Sequence, residues 1–121
     1  MTFADFKMSL PTIKAQQALI LNYTELLCEA LLFDFEKVNN GKTDGYKFYF
    51  ESGRKYHKVI METGAGSRSV HAFVDKKTGD VLKSASFKAP AKGVRFNLLD
   101  EVSREECFSR ADWAGGYLYI N

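Results

Sequence analysis

Over residues 12–38 the apolar side chains Ile13, Ile20, Tyr23, Leu27, Ala30, Leu31, Phe35 and Val38 recur mostly at steps of three and four; from Tyr46 the period drops to two. That switch constrains the chain more than any other feature. A period near 3.6 buries one stripe of a helix, whereas a period of two buries one face of a sheet. Pro11 precedes the periodic run and Thr12 is placed to cap it. An unbroken helix over 12–38 extends roughly 40 Å at 1.5 Å per residue, long for a small domain, and a bend at 22–24 is compatible with the pattern. Leu19, Leu21, Leu26, Leu32 and Phe33 widen the stripe beyond one face, so the helix is expected to be wrapped on more than one side or to supply a dimer contact.

The run Asn39-Asn40-Gly41-Lys42-Thr43-Asp44-Gly45 stops the helix, because Asn and Gly tolerate left-handed backbone. Strands are predicted at 46–51, 55–62, 68–74 and 81–87. Tyr46, Phe48 and Phe50 give the first an aromatic face, and Val70, Ala72 and Val74 face the core from the third. Asp75-Lys76-Lys77-Thr78-Gly79-Asp80 is a hairpin turn, with Asp opening it and Gly79 free to take positive φ. Ala89-Pro90-Ala91-Lys92-Gly93 breaks the pattern. A short helix over 101–110 follows, capped by Asn97 or Asp100, with Leu98, Leu99, Val102, Cys107 and Phe108 inward, and a last strand is expected at 117–120. The sum is an α+β fold, a single domain over 1–121. Its long N-terminal helix packs on a curled antiparallel sheet of four to five strands, with a short second helix near the C-terminus.

With 121 residues, 45% apolar and 26% charged, the chain suits one ordinary core and excludes a disordered or disulfide-dense scaffold. Apolar runs such as 30–33 are far shorter than the roughly 18 residues that cross a bilayer. Asp5 stands where a signal peptide carries positive charge, so secretion is not expected. Cys28 and Cys107 lie in separate helical patterns; nothing in their spacing requires a disulfide, and two reduced, partly buried thiols are the default expectation.

Chemical motifs are sparse. Asn40-Gly41-Lys42-Thr43 ends like a phosphate-binding loop, but Glu36 occupies the position of its first glycine and a helix precedes it in place of a strand. Gly64-Ala65-Gly66-Ser67 reads as a hairpin loop before it reads as an anion nest. His57 and His71 lie in strands without a carboxylate or cysteine partner in sequence and read as surface or edge-strand histidines, not zinc ligands. The acids Asp100, Glu101, Glu105 and Glu106 suit the polar face and first turn of a helix. No enzyme, cofactor or metal site is expected.

Charge is the informative property. Residues 1–40 hold three lysines against five acids, a balance of −2; residues 41–95 hold twelve cations against five acids, +7; residues 96–121 return to −3. A basic middle of this kind favours anionic partners. Its densest part is 83–97, where Lys83, Ser86, Phe87, Lys88, Lys92, Arg95 and Asn97 combine cations, a hydroxyl, an aromatic ring and an amide. Lysine as a point charge, arginine as a fork, neutral donors and a ring for stacking are the groups that hold phosphates and bases. Lys47, Lys55, Lys58 and Lys76, with Tyr49 and Tyr56, can extend the patch across one sheet face. A solvated face with snorkelling lysines is the competing reading.

The stretches Val74-Asp75-Lys76-Lys77-Thr78-Gly79-Asp80-Val81, Lys88-Ala89-Pro90-Ala91-Lys92-Gly93 and Ala111-Asp112-Trp113-Ala114-Gly115-Gly116-Tyr117 resemble a group of small uncharacterised proteins of tailed bacteriophages, over roughly residues 46–120. The resemblance implies a phage origin and a host-cell cytoplasm, and carries no catalytic residue across. The expectation is therefore a non-catalytic phage protein that binds single-stranded nucleic acid, or else a nucleotide signal, through Lys83, Ser86, Phe87, Lys88, Lys92, Arg95, Asn97, Lys58 and Tyr49. The alternative is a protein-interaction module: an inhibitor of a host enzyme or a virion component, with the 12–38 helix making a homo-oligomer. No membrane partner is expected.

Overall fold

A computed structural model describes residues 3–119, with side chains from residue 12 onward. Helix α1 (Phe3–Val38) is followed by strands β1 (Lys47–Ser52), β2 (Tyr56–Glu62), β3 (Arg68–Asp75), β4 (Asp80–Ser84) and β5 (Pro90–Asn97), then helix α2 (Glu101–Arg110) and a 3-10 turn (Gly116–Leu118). The strands form one antiparallel sheet in the order β1-β2-β3-β4-β5, so every connection is a hairpin. The fold is α+β, a long helix and a short one with an open antiparallel sheet.

The helix begins at Phe3, so Pro11 and Thr12 lie inside it and Thr12 is not its cap. Proline in a helix interior forfeits one backbone bond, about 3 kcal/mol. Helix-favouring residues on both sides, Ala4, Lys7, Met8 and Leu10 before it and 12–38 after it, carry the helix through. No break interrupts it near residue 23, where Thr24 Oγ1 donates to the Ile20 carbonyl at 2.7 Å. Its end is as expected: Asn40 and Gly41 take φ of 56° and 77°, and Gly41 N–H donates to the Glu36 carbonyl.

Ile20, Leu27, Leu31 and Phe35 of α1 meet Phe48, Val59, Ala72, Val74, Val81 and Phe96 on one sheet face, with Leu98, Cys107 and Tyr117 completing the core. A register shift after Val59 moves β3 relative to β2. Ala72 and Val74 join the core as expected, but Val70, on the other side of that bulge, stays half-buried outside it. Phe73, placed outward with polar neighbours by period two, is buried on the opposite face with Ile60, outside the main core. Burying each such side chain stabilises the fold by about 1.5–3 kcal/mol.

Four further expectations are overturned. β4 ends at Ser84, because Ala85 and Ser86 N–H groups both donate to the Ala89 carbonyl and close a hairpin with Phe87 at its tip. The stretch 89–93, taken for a break, instead supplies the first half of β5, which runs from Pro90 to Asn97. Pro90 is its first residue, where a missing N–H is tolerated, and positive-φ Gly93 lies where the pairing with β4 shifts. The expected strand at 117–120 is instead a 3-10 turn at Gly116–Leu118, with Ile120 outside the described residues. The Leu118 carbonyl accepts from Arg95 Nε at 2.8 Å, so a side chain supplies what a neighbouring strand would have. Asp100 caps α2 through Val102 N–H, and Leu98 and Cys107 are buried, but Val102 is 76% exposed and does not face the core.

Candidate functional site

In a meander the first and third turns fall at the same end of the sheet. Here they touch: Lys76 N–H donates to the Lys55 carbonyl and Lys76 Nζ to the Gly53 carbonyl, both at 3.0 Å. Arg54, Lys55, Lys76 and Lys77 are thereby gathered at one rim. Below them a recess of about 370 Å³ is lined by residues 51–56, Lys58, Phe73 and Lys88. A second of similar volume adjoins it through Arg54 and is lined also by His57, Lys76 and Lys77 beside Leu21 of α1. Among the described residues none of these six cations has a carboxylate within 4 Å. The two nearby acids are occupied. Glu51 binds Arg68 at 2.8 Å, and Asp75 Oδ1 accepts the Lys77 and Thr78 N–H groups.

Aromatic rings border the same face. Lys58 Nζ stands 4.5 Å from the centre of the Phe87 ring and 5.8 Å from that of Phe73. Arg68 lies 5.9 Å from both Phe87 and Tyr49, and Lys55 is 5.3 Å from Tyr56. The β4–β5 hairpin thus reaches across the sheet and sets the Phe87 ring, itself 46% exposed, beside Lys58 of β2 and Arg68 of β3. Such cation–π contacts contribute about 0.5–1 kcal/mol at exposed sites, weak enough for a ligand to displace.

The residues named from sequence divide. Lys58, Phe87, Lys88 and Tyr49 share the outer face, although Tyr49 donates its hydroxyl proton to Glu62 at 3.0 Å. Ser86 Oγ accepts the Lys88 and Ala89 N–H groups and shapes the hairpin. Lys83 lies at the far end, 4.5 Å over the Tyr119 ring, in a recess of about 300 Å³ with His71, Ser84 and Trp113. Arg95 donates to the carbonyls of Leu118, Lys92 and Gly93, while Lys92 itself is exposed. Asn97 donates to Thr78 and Asp80 and accepts from Leu99 and Asp100 N–H groups, joining the β3–β4 turn to α2. Arg54 and Lys77, counted in the basic middle, were not named as site residues from sequence; their signal was the parity of the hairpins, which puts Gly53-Arg54-Lys55 beside Asp75-Lys76-Lys77.

The histidines are not surface groups. His57 is buried, paired with Ser52 Oγ at 2.8 Å, and its pKa is lowered by burial and by Lys76. His71 Nε2 meets the Tyr117 hydroxyl at 2.8 Å, and burial, opposed by Asp112, brings its pKa down to about 4. Cys28 and Cys107 are free and buried, each thiol pushed up to about 12 chiefly by burial.

Fold and surface together define a small α+β protein whose meander sheet carries unpaired cations beside exposed rings. The chain belongs to a family of unknown function, DUF7717, whose model matches residues 3–120 and so takes in α1 as well as the sheet. No curated protein and no solved structure matches it.

Proposed function

We propose that this protein binds a phosphate-bearing ligand, first of all single-stranded nucleic acid, at the rim formed by the β1–β2 and β3–β4 turns, without catalysing a reaction, as a bacteriophage protein in the host cytoplasm. The observation that carries the reading is the convergence of Arg54, Lys55, Lys58, Lys76, Lys77 and Lys88 on two adjoining recesses with no acid partner. Phe87 and Tyr56 beside them supply faces on which bases stack. The phage and cytoplasm part rests on the resemblance of residues 46–120 alone. Binding is favoured over catalysis because the obvious proton carriers and nucleophiles are held. His71 is neutral at pH 7, burial and Lys76 lower the pKa of His57, both rings are hydrogen-bonded, and the thiols stay protonated.

Fluorescence anisotropy with a labelled deoxythymidine oligomer tests the reading. Affinity should fall steeply with salt, the logarithmic slope approaching about −0.7 per phosphate contacted. A mononucleotide that binds with little salt dependence would identify a nucleotide site instead. Absence of binding to both at low salt would end the proposal. A protein-interaction role is favoured by one separate observation, the apolar flank of α1 that the sheet leaves uncovered.

A further inference from the structure

Helix α1 buries the stripe of Ile20, Thr24, Leu27, Leu31 and Phe35 against the sheet, yet Leu19, Leu26 and Phe33 remain 43%, 46% and 66% exposed. These three are spaced by seven. At about 100° per residue they lie within roughly 40° of one another, some 140° around the helix from the middle of the buried stripe. Neighbouring arcs are occupied. Tyr23 packs on Phe108 and under Arg104, and Asp34 accepts the Trp113 N–H. Heptad spacing on one exposed helix surface is the pattern of a seam that packs against another helix.

The seam also reads the same in both directions. Ala15 and Ala30 lie at equal distances on either side of the Asn22–Tyr23 bond, and so do Leu19 and Leu26. A two-fold axis through that point sets Leu19 against Leu26 of a second copy and Ala15 against Ala30, as an isologous contact requires. Charge agrees with this direction. Residues 12–24 contain Lys14 and no acid, whereas residues 25–38, to the end of the helix, contain Glu25, Glu29, Asp34 and Glu36 against Lys37. Antiparallel pairing sets the basic half against the acidic half; parallel pairing would set acid against acid.

We infer that α1 pairs two copies of this chain as an antiparallel dimer along Leu19, Leu26 and Phe33. The cations of the turn rim lie on other elements, and of the ligand recesses only one touches α1, at Gln17, Ala18 and Leu21, none of them a seam residue, so this inference does not rest on the ligand reading.

Sedimentation analysis of the full chain should give a dimer, and Leu26→Glu or Leu19→Glu, both at exposed positions, should give monomers with unchanged circular dichroism. Cysteine pairing fixes the direction, since Cys28 and Cys107 are buried and stay out of the reaction. In an antiparallel dimer centred at 22–23, Leu26→Cys lies about 10 Å along the axis from its own copy, beyond disulfide reach. It should cross-link only when mixed with Leu19→Cys chains. A monomer at every concentration, a dimer that survives both glutamate variants, or self-cross-linking of Leu26→Cys overturns the inference, the first leaving the seam to a different partner.

Discussion

Arg95 and Arg54 are the same residue type in the same basic stretch, and the fold uses them in opposite ways. Around Arg95 the chain leaves three carbonyls without strand partners, those of Leu118, Lys92 and Gly93, and the guanidinium fills them. Around Arg54 the turn backbones satisfy one another, Gly53 N–H to Tyr56 and Lys76 N–H to Lys55, so the side chain has only solvent and the recesses to face. Arg95 is thereby structural, as is Lys76 where its Nζ donates to the Gly53 carbonyl, whereas Arg54 remains available. Composition is blind to this distinction.

The comparison breaks first at Arg95. Arg95→Ala should cost about 1.5–3 kcal/mol in urea unfolding, chiefly because the charge-assisted bond to the part-buried Leu118 carbonyl is lost, with oligonucleotide affinity of the surviving fold unchanged. Stable protein with lost affinity would reverse the assignment.

A comparable effect is expected at the far end of the sheet. His71 has a folded pKa of about 4, below its unfolded value near 6.5, so it favours the fold while neutral. That stability is fully present above about pH 6.5 and is lost as pH falls toward 4, since the unfolded chain binds the extra proton. About 3 kcal/mol is involved, and thermal melts of His71→Gln should be flatter than wild type across that window.

At the turn rim the triple change Arg54→Ala, Lys58→Ala and Lys88→Ala should weaken binding of the deoxythymidine oligomer at least tenfold and reduce the salt slope by about 2, with the melting temperature nearly unmoved. A shifted melting temperature would make these cations structural like Arg95. The smallest effect belongs to Phe87→Ala. Stacking is worth about 1–3 kcal/mol per base, so a several-fold loss of affinity at unchanged salt slope separates ring from charge.

Much of the fold was legible because it depends on local rules. The helix stop at Asn40 and Gly41, the Asp75–Gly79 turn and the Asp100 cap follow from backbone tolerance and side-chain reach within a few residues. The misses share a cause. Pro90 and Gly93 read as breakers because their local penalties are real, but pairing with β4 through shifted register absorbs them. Val70 read as inward because a bulge changes phase without any mark in composition, and Phe73, outward as read, is buried there beside Tyr56 and Lys58. The candidate site was half visible: Lys58, Phe87 and Lys88 were named, while Arg54 and Lys77 needed the order of the hairpins and Lys83 needed the far end of β4.

By itself the sequence determined the two helices and the first four strands, the helix-to-sheet switch near residue 45 and the excess of positive charge in the middle, all set by periodicity and composition. Which cations stay free, which rings leave the core and which face of α1 stays bare were decided only by tertiary structure. Those outcomes depend on how groups dozens of residues apart satisfy or expose one another, a matter of hydrogen-bond supply and sheet register that no local pattern encodes.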